Sequence, residues 1–251
     1  MSAGPRYNEL GQPIGPALPD WQPPARPAQH RLEGRFCIVE PLDVTRHARA
    51  LFAANGQDRD HRMWTYLFSG PFATFDEYER WLGERVTSTD PLFRAFVDCV
   101  SGNAVGLGSF MRIDPPAGTI EVGHIAMSPV LQRSRAATEA MYLMMRHAFE
   151  LGYRRYEWKC DALNVNSRRA AERLGFEFEG VFRQATVYKG RSRDTAWYSI
   201  IDSEWPLLRE AFECWLDRGN FDVAGVQRAR LSDIRTALRP QHTADGRRGE
   251  D

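Results

Sequence analysis

A short polar joint, Leu131-Gln132-Arg133-Ser134-Arg135-Ala136-Ala137, separates a strand-like run from a helix-like run. The first amides of a helix have no internal partner, and the helix dipole adds partial positive charge at that end. Small side chains at Ser134, Ala136 and Ala137 would let a bulky anion approach, and Arg133 and Arg135 add full charges. Such a joint suits a phosphate or pyrophosphate. An ordinary capped helix flanked by solvated arginines accounts for the same residues, and on physics alone the two readings stand level.

The elements that must hold this joint follow from periodicity and turn chemistry. Leu92–Val100, Ala104–Ile113 and Thr119–Met127 alternate as strands, separated by Ser101-Gly102-Asn103 and by Asp114-Pro115-Pro116-Ala117-Gly118, which predicts an antiparallel meander. A helix is predicted over Arg135–Leu151, with Ala137, Ala140, Met141, Met144 and Ala148 on its apolar face. A strand Tyr153–Cys160 follows, then a helix Asn164–Leu174 with Gly175 as its C-cap. Residues 119–161 then form a strand-helix-strand crossover of the parallel, right-handed kind. Upstream, Phe36–Val39 reads as a strand, Asp43 caps a helix to about Ala54, and a second helix starts at Thr74 or Asp76. Between those helices, Asn55–Phe75 is irregular and aromatic, either a packed loop or a pocket wall. Downstream, Phe176–Tyr188 and Thr195–Ile201 read as a hairpin, and a helix runs from Ser203 or Glu204 to about Leu216.

The chain divides into a Pro-rich arm at 1–31, a mixed α/β domain at 32–218 and a C-terminal extension at 219–251, expected to be partly disordered. Seven of the 15 prolines lie in the arm, so it reads as extended, either disordered or docked through Leu18 and Trp21. Lys+Arg 33 balances Asp+Glu 33, which argues against a nucleic-acid coat. The arginines of 131–193 are interspersed with Glu139, Glu150, Glu157 and Glu172, as on solvated helix faces. No apolar stretch approaches the roughly 20 residues that span a bilayer. Four scattered cysteines without a C-x-x-C pair give no metal site and suit a reducing cytoplasm. A homodimer, with the arm reaching a second subunit, stays open beside a monomer.

Three stretches resemble the GNAT superfamily of N-acetyltransferases, and within it the ribosomal-protein N-terminal acetyltransferase branch. Gln132 to Ala140 sits where that family has Q/R-x-x-G-x-G/A and a T/S-E-A helix start. Asn164-Val165-Asn166-Ser167, with Arg173-Leu174-Gly175-Phe176 and Glu179-Gly180, is similar to N-x-x-S…K-L-G-F…E-G. Asp194 before Thr195–Ile201 resembles the D…Y-S-x-x ending of the branch. The resemblance covers roughly Leu32–Leu216. It departs at Arg135, which stands in place of the first motif glycine, and an arginine there either obstructs a diphosphate or swings out and binds it.

The resemblance implies a mostly antiparallel twisted sheet flanked by helices, with a central parallel coenzyme-binding unit. It implies direct acetyl transfer from acetyl-CoA, as co-substrate, to a primary amine of a protein N-terminus or a small molecule. The alternative is a non-catalytic acyl-CoA-binding or regulatory module. The pantetheine is then expected between Thr119–Met127 and Tyr153–Cys160, with the diphosphate on the amides of Arg133–Ala137 and with Gln132 beside it. Asn164 is expected to hold the coenzyme arm, or else to cap a loop. Glu121 is the candidate general base, or else an arginine's partner, and Ser167 the candidate proton donor to the leaving thiolate, or else a helix cap. Cys160 is expected to pack rather than react. Trp64, Tyr66, His124 and Tyr188 are expected around the acceptor, and Arg191 and Arg193 would suit a carboxylate on it.

Overall fold

The structure, a computed structural model, describes residues 6–245. In the arm, β1 (Arg6–Tyr7) and β2 (Pro13–Ile14) form a small exposed hairpin. The rest of the arm lies along the domain. Trp21 donates its indole N–H to the carbonyl of Pro116 at 3.3 Å, and Arg26 reaches the carbonyls of Ile113 and Thr89. The fully buried Arg94 donates to the carbonyls of Ala28 and His30 at 2.6 and 3.0 Å. Leu18, the other expected anchor, stays exposed.

The domain runs β3 (Leu32–Glu33), β4 (Cys37–Pro41), α1 (Val44–Asn55), α2 (Phe75–Val86), β5 (Leu92–Asp98), β6 (Ala104–Asp114) and β7 (Thr119–Met127). It continues with α3 (Arg135–Glu150), β8 (Arg155–Asp161), α4 (Val165–Leu174), β9 (Glu177–Tyr188), β10 (Arg191–Ile201), α5 (Trp205–Leu216) and α6 (Leu231–Asp245). Eight strands form one sheet in the order β3-β4-β5-β6-β7-β8-β10-β9, with β7 and β8 parallel and the other neighbours antiparallel.

Local chemistry explains the boundaries. Asp43 accepts the amide of Arg46 to start α1, and Thr74 with Glu77 makes a reciprocal capping box at α2. Gly175, at φ 104°, closes α4 in the left-handed region that a side chain disfavours. One core lies beneath α1 and α2, around Leu51, Tyr78, Leu82 and Leu107. The larger core lies on the opposite face, where α3 is wedged against the sheet with α5 behind it.

Two expectations need correcting. The hairpin is tighter than expected: Arg191 pairs with Tyr188, so β10 starts four residues early and only Lys189-Gly190 form the turn. Both residues have positive φ, 48° and 69°, which suits the twist of a two-residue hairpin. The polar tail read as frayed contains α6. Leu231 is buried, and Ile234 and Leu238 pack against the main core, so the spacing i, i+3, i+7 carries a narrow apolar stripe through a polar composition.

Candidate functional site

The parallel pairing of β7 with β8 covers only Thr119–Val122 against Arg155–Trp158. Both strands continue, to Met127 and Asp161, without pairing again. The cause lies on the other edge of β7. Three residue steps, Gly123 to Ala126, oppose two on β6, Ser109 to Leu107, and His124 sits at the bulge with φ 50°. The extra residue bends β7 away from β8. Main-chain groups of Gly123–Met127 on that side therefore lack a strand partner and face a cleft of about 1380 Å³. An extended ligand with amides can add to such an edge.

The cleft leads to the start of α3, which is lined by Gln132, Arg133, Ser134, Arg135 and Ala137. Ala136, expected beside them, is 6% exposed and packs into the core. Ser134 is the N-cap: its hydroxyl donates to the carbonyl of Leu131 at 2.6 Å and accepts the amide of Ala137 at 3.0 Å. The amide of Ser134 is also engaged, with Leu131. The expected run of free amides from Arg133 to Ala137 thus narrows to Arg133, Arg135 and Ala136. Arg133 has φ 58°, unusual for a side-chain-bearing residue, and this aims the turn. Gln132 spends its side-chain amide on the carbonyl of Met127 at 2.8 Å, tying the strand end to the helix start. Arg135 lines the cleft together with Phe221. Its guanidinium lies between the rings of Phe36 and Phe221, at 4.7 and 4.9 Å.

Where β7 and β8 part, Glu121 is 3% exposed and lines the cleft. Its Oε2 accepts from Arg112 at 2.6 Å and from Lys159 at 2.8 Å. Lys159 also reaches Glu157 at 2.7 Å and stands over the Trp197 ring. The ion-pair role foreseen for Glu121 is therefore present, and Lys159 adds to it. Both cations sit on one oxygen, so Oε1 has no protein donor among the described residues. Lys159 is a residue that sequence reasoning missed. Its alternation with Glu157 on a strand was the available signal, since residues two apart share a face.

Across the gap, the helix cap of α4 is Asn164, which accepts the amide of Ser167 at 3.1 Å. Ser167 is thereby freed from the capping role considered for it. Its Oγ accepts the indole N–H of Trp158 at 3.0 Å, and its own proton is left to an acceptor, which in this structure is the Cys160 sulfur. Trp158 was missed in sequence because a lone strand tryptophan reads as core. Cys160 is buried, and burial first of all raises its thiol pKa, so it is a thiol held in packing.

The aromatic loop forms the far wall. Trp64, Tyr66 and His124 line the cleft, whereas Tyr188 stands behind the lining and donates to Asp161 at 2.8 Å. Lys189 fastens the loop through the carbonyl of Trp64 at 2.6 Å. His124 contacts Ser109 Oγ at 2.9 Å, and burial, then Arg85 and Arg112, pull its pKa down to about 4. The buried His147 of α3 is likewise held down to about 4, by burial and then by His30, Arg94 and Arg146. Both are neutral when folded near pH 7. Their stabilising contribution is complete above the unfolded value near 6.5 and is lost as pH falls toward 4. Urea unfolding at pH 7 and pH 5 should show lower stability at pH 5. A variant with both histidines replaced by glutamine should show a smaller drop; an equal drop would remove them as the cause.

A split pair of parallel strands running into a cation-flanked helix start is the frame of an acyl-coenzyme transferase, and sequence comparison agrees. The acetyltransferase (GNAT) domain model matches residues 37–177, and the chain belongs to this family. It is 49% identical to a GCN5-related N-acetyltransferase from Brucella melitensis, over 87% of this chain and all of that one, with a TM-score of 0.86. A probable acetyltransferase of the GNAT family from Chromobacterium violaceum is 39% identical, over 78% of this chain and 98% of that one, with a TM-score of 0.72. The ribosomal-protein-serine acetyltransferase of Escherichia coli K12 is 32% identical over 102 residues. That match spans 40% of this chain and 56% of the curated relative's length.

Proposed function

We propose that this chain moves an acetyl group from acetyl-CoA directly to a primary amine, either a protein N-terminal α-amine or a small-molecule amine. The 32–218 domain carries the reaction, with the arm and the C-terminal extension as accessories. The observation that supports it is the continuous track from the split β7–β8 edge to the open amides of Arg133, Arg135 and Ala136. Amides of the pantetheine arm pair with Gly123–Met127, and the diphosphate meets the helix start. Asn164 keeps its side-chain N–H groups available for the same arm.

The amine must lose a proton before it attacks, because an alkyl ammonium has a pKa around 10. Glu121 Oε1 takes that proton, directly or through water. The nitrogen bonds to the thioester carbonyl carbon, the carbon–sulfur bond breaks with the electron pair leaving on sulfur, and the nitrogen's second proton passes through water to that sulfur. Ser167, oriented by Trp158, donates a hydrogen bond to the departing thiolate. Four free cysteines suit a reducing compartment, and we assign the chain to the cytoplasm. Among the described residues no helix is long and apolar enough to cross a membrane, and no cluster suits a metal ion.

The non-catalytic module remains the alternative reading. Titration calorimetry with acetyl-CoA, followed by transfer assays over an amine panel, tests the reading. Expected are saturable heat, coenzyme release that depends on amine, and loss of both in Ala137→Trp, which fills the mouth of the track. A folded chain that gives no heat with acetyl-CoA sinks the proposal; heat without transfer to any amine favours the module.

A further inference from the structure

We propose that the acceptor amine carries a carboxylate and that Arg193 receives it. The inference rests on the acetyl-transfer reading and narrows its acceptor. Arg193 is only 9% exposed, and it lines the cleft on the same side as Trp64 and Phe68. Its Nε is buried without a hydrogen-bond partner. Among the described residues its guanidinium has no ion pair and no acceptor, only the rings of Phe68 and Tyr188 at 5.4 and 5.9 Å.

Two other buried cations among the described residues have acceptors that Arg193 lacks. Arg94, whose Nε is likewise buried without a partner, gives its terminal N–H groups to two carbonyls of the arm, and Lys159 is held by Glu121 and Glu157. Two further cations that line the cleft are also engaged, Arg112 by Glu121 and Arg85 by Glu84. The adjacent carboxylate of Asp161 is already committed to the Tyr188 hydroxyl and the Leu163 amide, both at 2.8 Å. A charge taken out of water without an anion is costly, so a protein that keeps one beside an open cleft has left the anion to a ligand. A guanidinium clamped by rings presents its remaining N–H groups as a fixed fork, which matches a carboxylate.

Position agrees. Arg193 precedes Thr195 by two residues, roughly 7 Å along a strand, and Thr195 pairs with Asp161 at the open end of β8. An amine whose carboxylate rests on Arg193 therefore lies on the acceptor side of the gap, under Trp64 and Phe68. The class is an amino-acid-like amine with an apolar body, or a peptide whose second residue is acidic.

Matched acceptors test this with the full-length chain: phenylalanine against phenylalaninamide, methionine against methioninamide, and amidated Ser-Asp-Ala against Ser-Asn-Ala. The acid partner of at least one pair should be preferred by about tenfold or more in kcat/KM, mostly through KM, as a charge-assisted contact predicts. Preference within the amino-acid pairs assigns the carboxylate to a free amino acid; preference within the peptide pair alone assigns it to a side chain. Arg193→Gln should bring each ratio within twofold. Arg193→Lys should keep part of the preference. In wild type, formate should raise the apparent KM of the acid acceptor and leave that of acetyl-CoA alone, a readout that needs no variant. Calorimetry on the CoA-saturated protein should give heat with acids and not with amides, so the carboxylate site is tested even without transfer. Equal use and equal binding of acids and amides by the wild type would overturn the proposal.

Discussion

Glu139→Ala is expected to destabilise the protein by about 3 kcal/mol or more, because three main-chain donors, the Cys37 amide buried among them, lose a charged acceptor together. Glu139 lies in the second turn of α3 and is 4% exposed. Its carboxylate accepts the amides of Arg35 at 2.9 Å, Phe36 at 2.5 Å and Cys37 at 2.7 Å. The Cys37 amide is buried, so truncation leaves it the full desolvation penalty, while the amides of Arg35 and Phe36, nearer the surface, lose a charge-assisted bond. For a domain of this size each kcal/mol moves the melting point by roughly 2–4 °C, so a fall of about 6–12 °C is expected in a thermal scan. Glu139→Gln retains one carbonyl oxygen and should fall between wild type and alanine. A loss under about 1 kcal/mol for alanine in urea unfolding would mean that the turn has other acceptors. The effect should extend to the cleft at the start of α3, since Phe36, held by this carboxylate, is one of the two rings against Arg135.

Glu121→Gln carries the other large expected effect, on rate rather than stability. Removing a general base costs about 10²–10⁴ in turnover. The amide is nearly isosteric and can still accept from Arg112 and Lys159 through its carbonyl oxygen. What it cannot do is take a proton. Steady-state assays should therefore show kcat down by about a hundredfold or more, with acetyl-CoA affinity and melting point close to wild type. Raising the pH should recover part of the loss, as more acceptor amine is already neutral. If turnover stays within about fivefold, Glu121 is an ion-pair anchor for Lys159 and Arg112, and the proton leaves by another route.

Much of this arrangement was readable beforehand because it rests on local chemistry. Asp43, Thr74 and Gly175 mark helix ends by residue type, and the structure uses each at the expected boundary. The meander and the parallel crossover follow from period and turn residues alone. What escaped is long-range. Nothing near Arg135 in sequence announces Phe221, which arrives from the C-terminal extension 86 positions later in the numbering. The caps of Asn164 and Ser167 are three residues apart, and only geometry tells which one holds the helix and which one Trp158 turns toward the gap. The partners of Glu121 lie on two different neighbouring strands, and register decides such contacts. Composition hid α6, because three apolar residues suffice to dock a helix whose other faces are wet.

The bulge at His124 has a consequence for how this protein tolerates change. A hold exerted by the peptide backbone of β7 does not depend on which side chains the residues carry. Substitutions along that strand can retune the core or the acceptor wall while the grip on a ligand's amides survives, provided the extra residue remains. Inheritance of the binding edge is thus encoded as a length, one residue more than the neighbouring strand, and a single-residue deletion there should harm it more than most replacements.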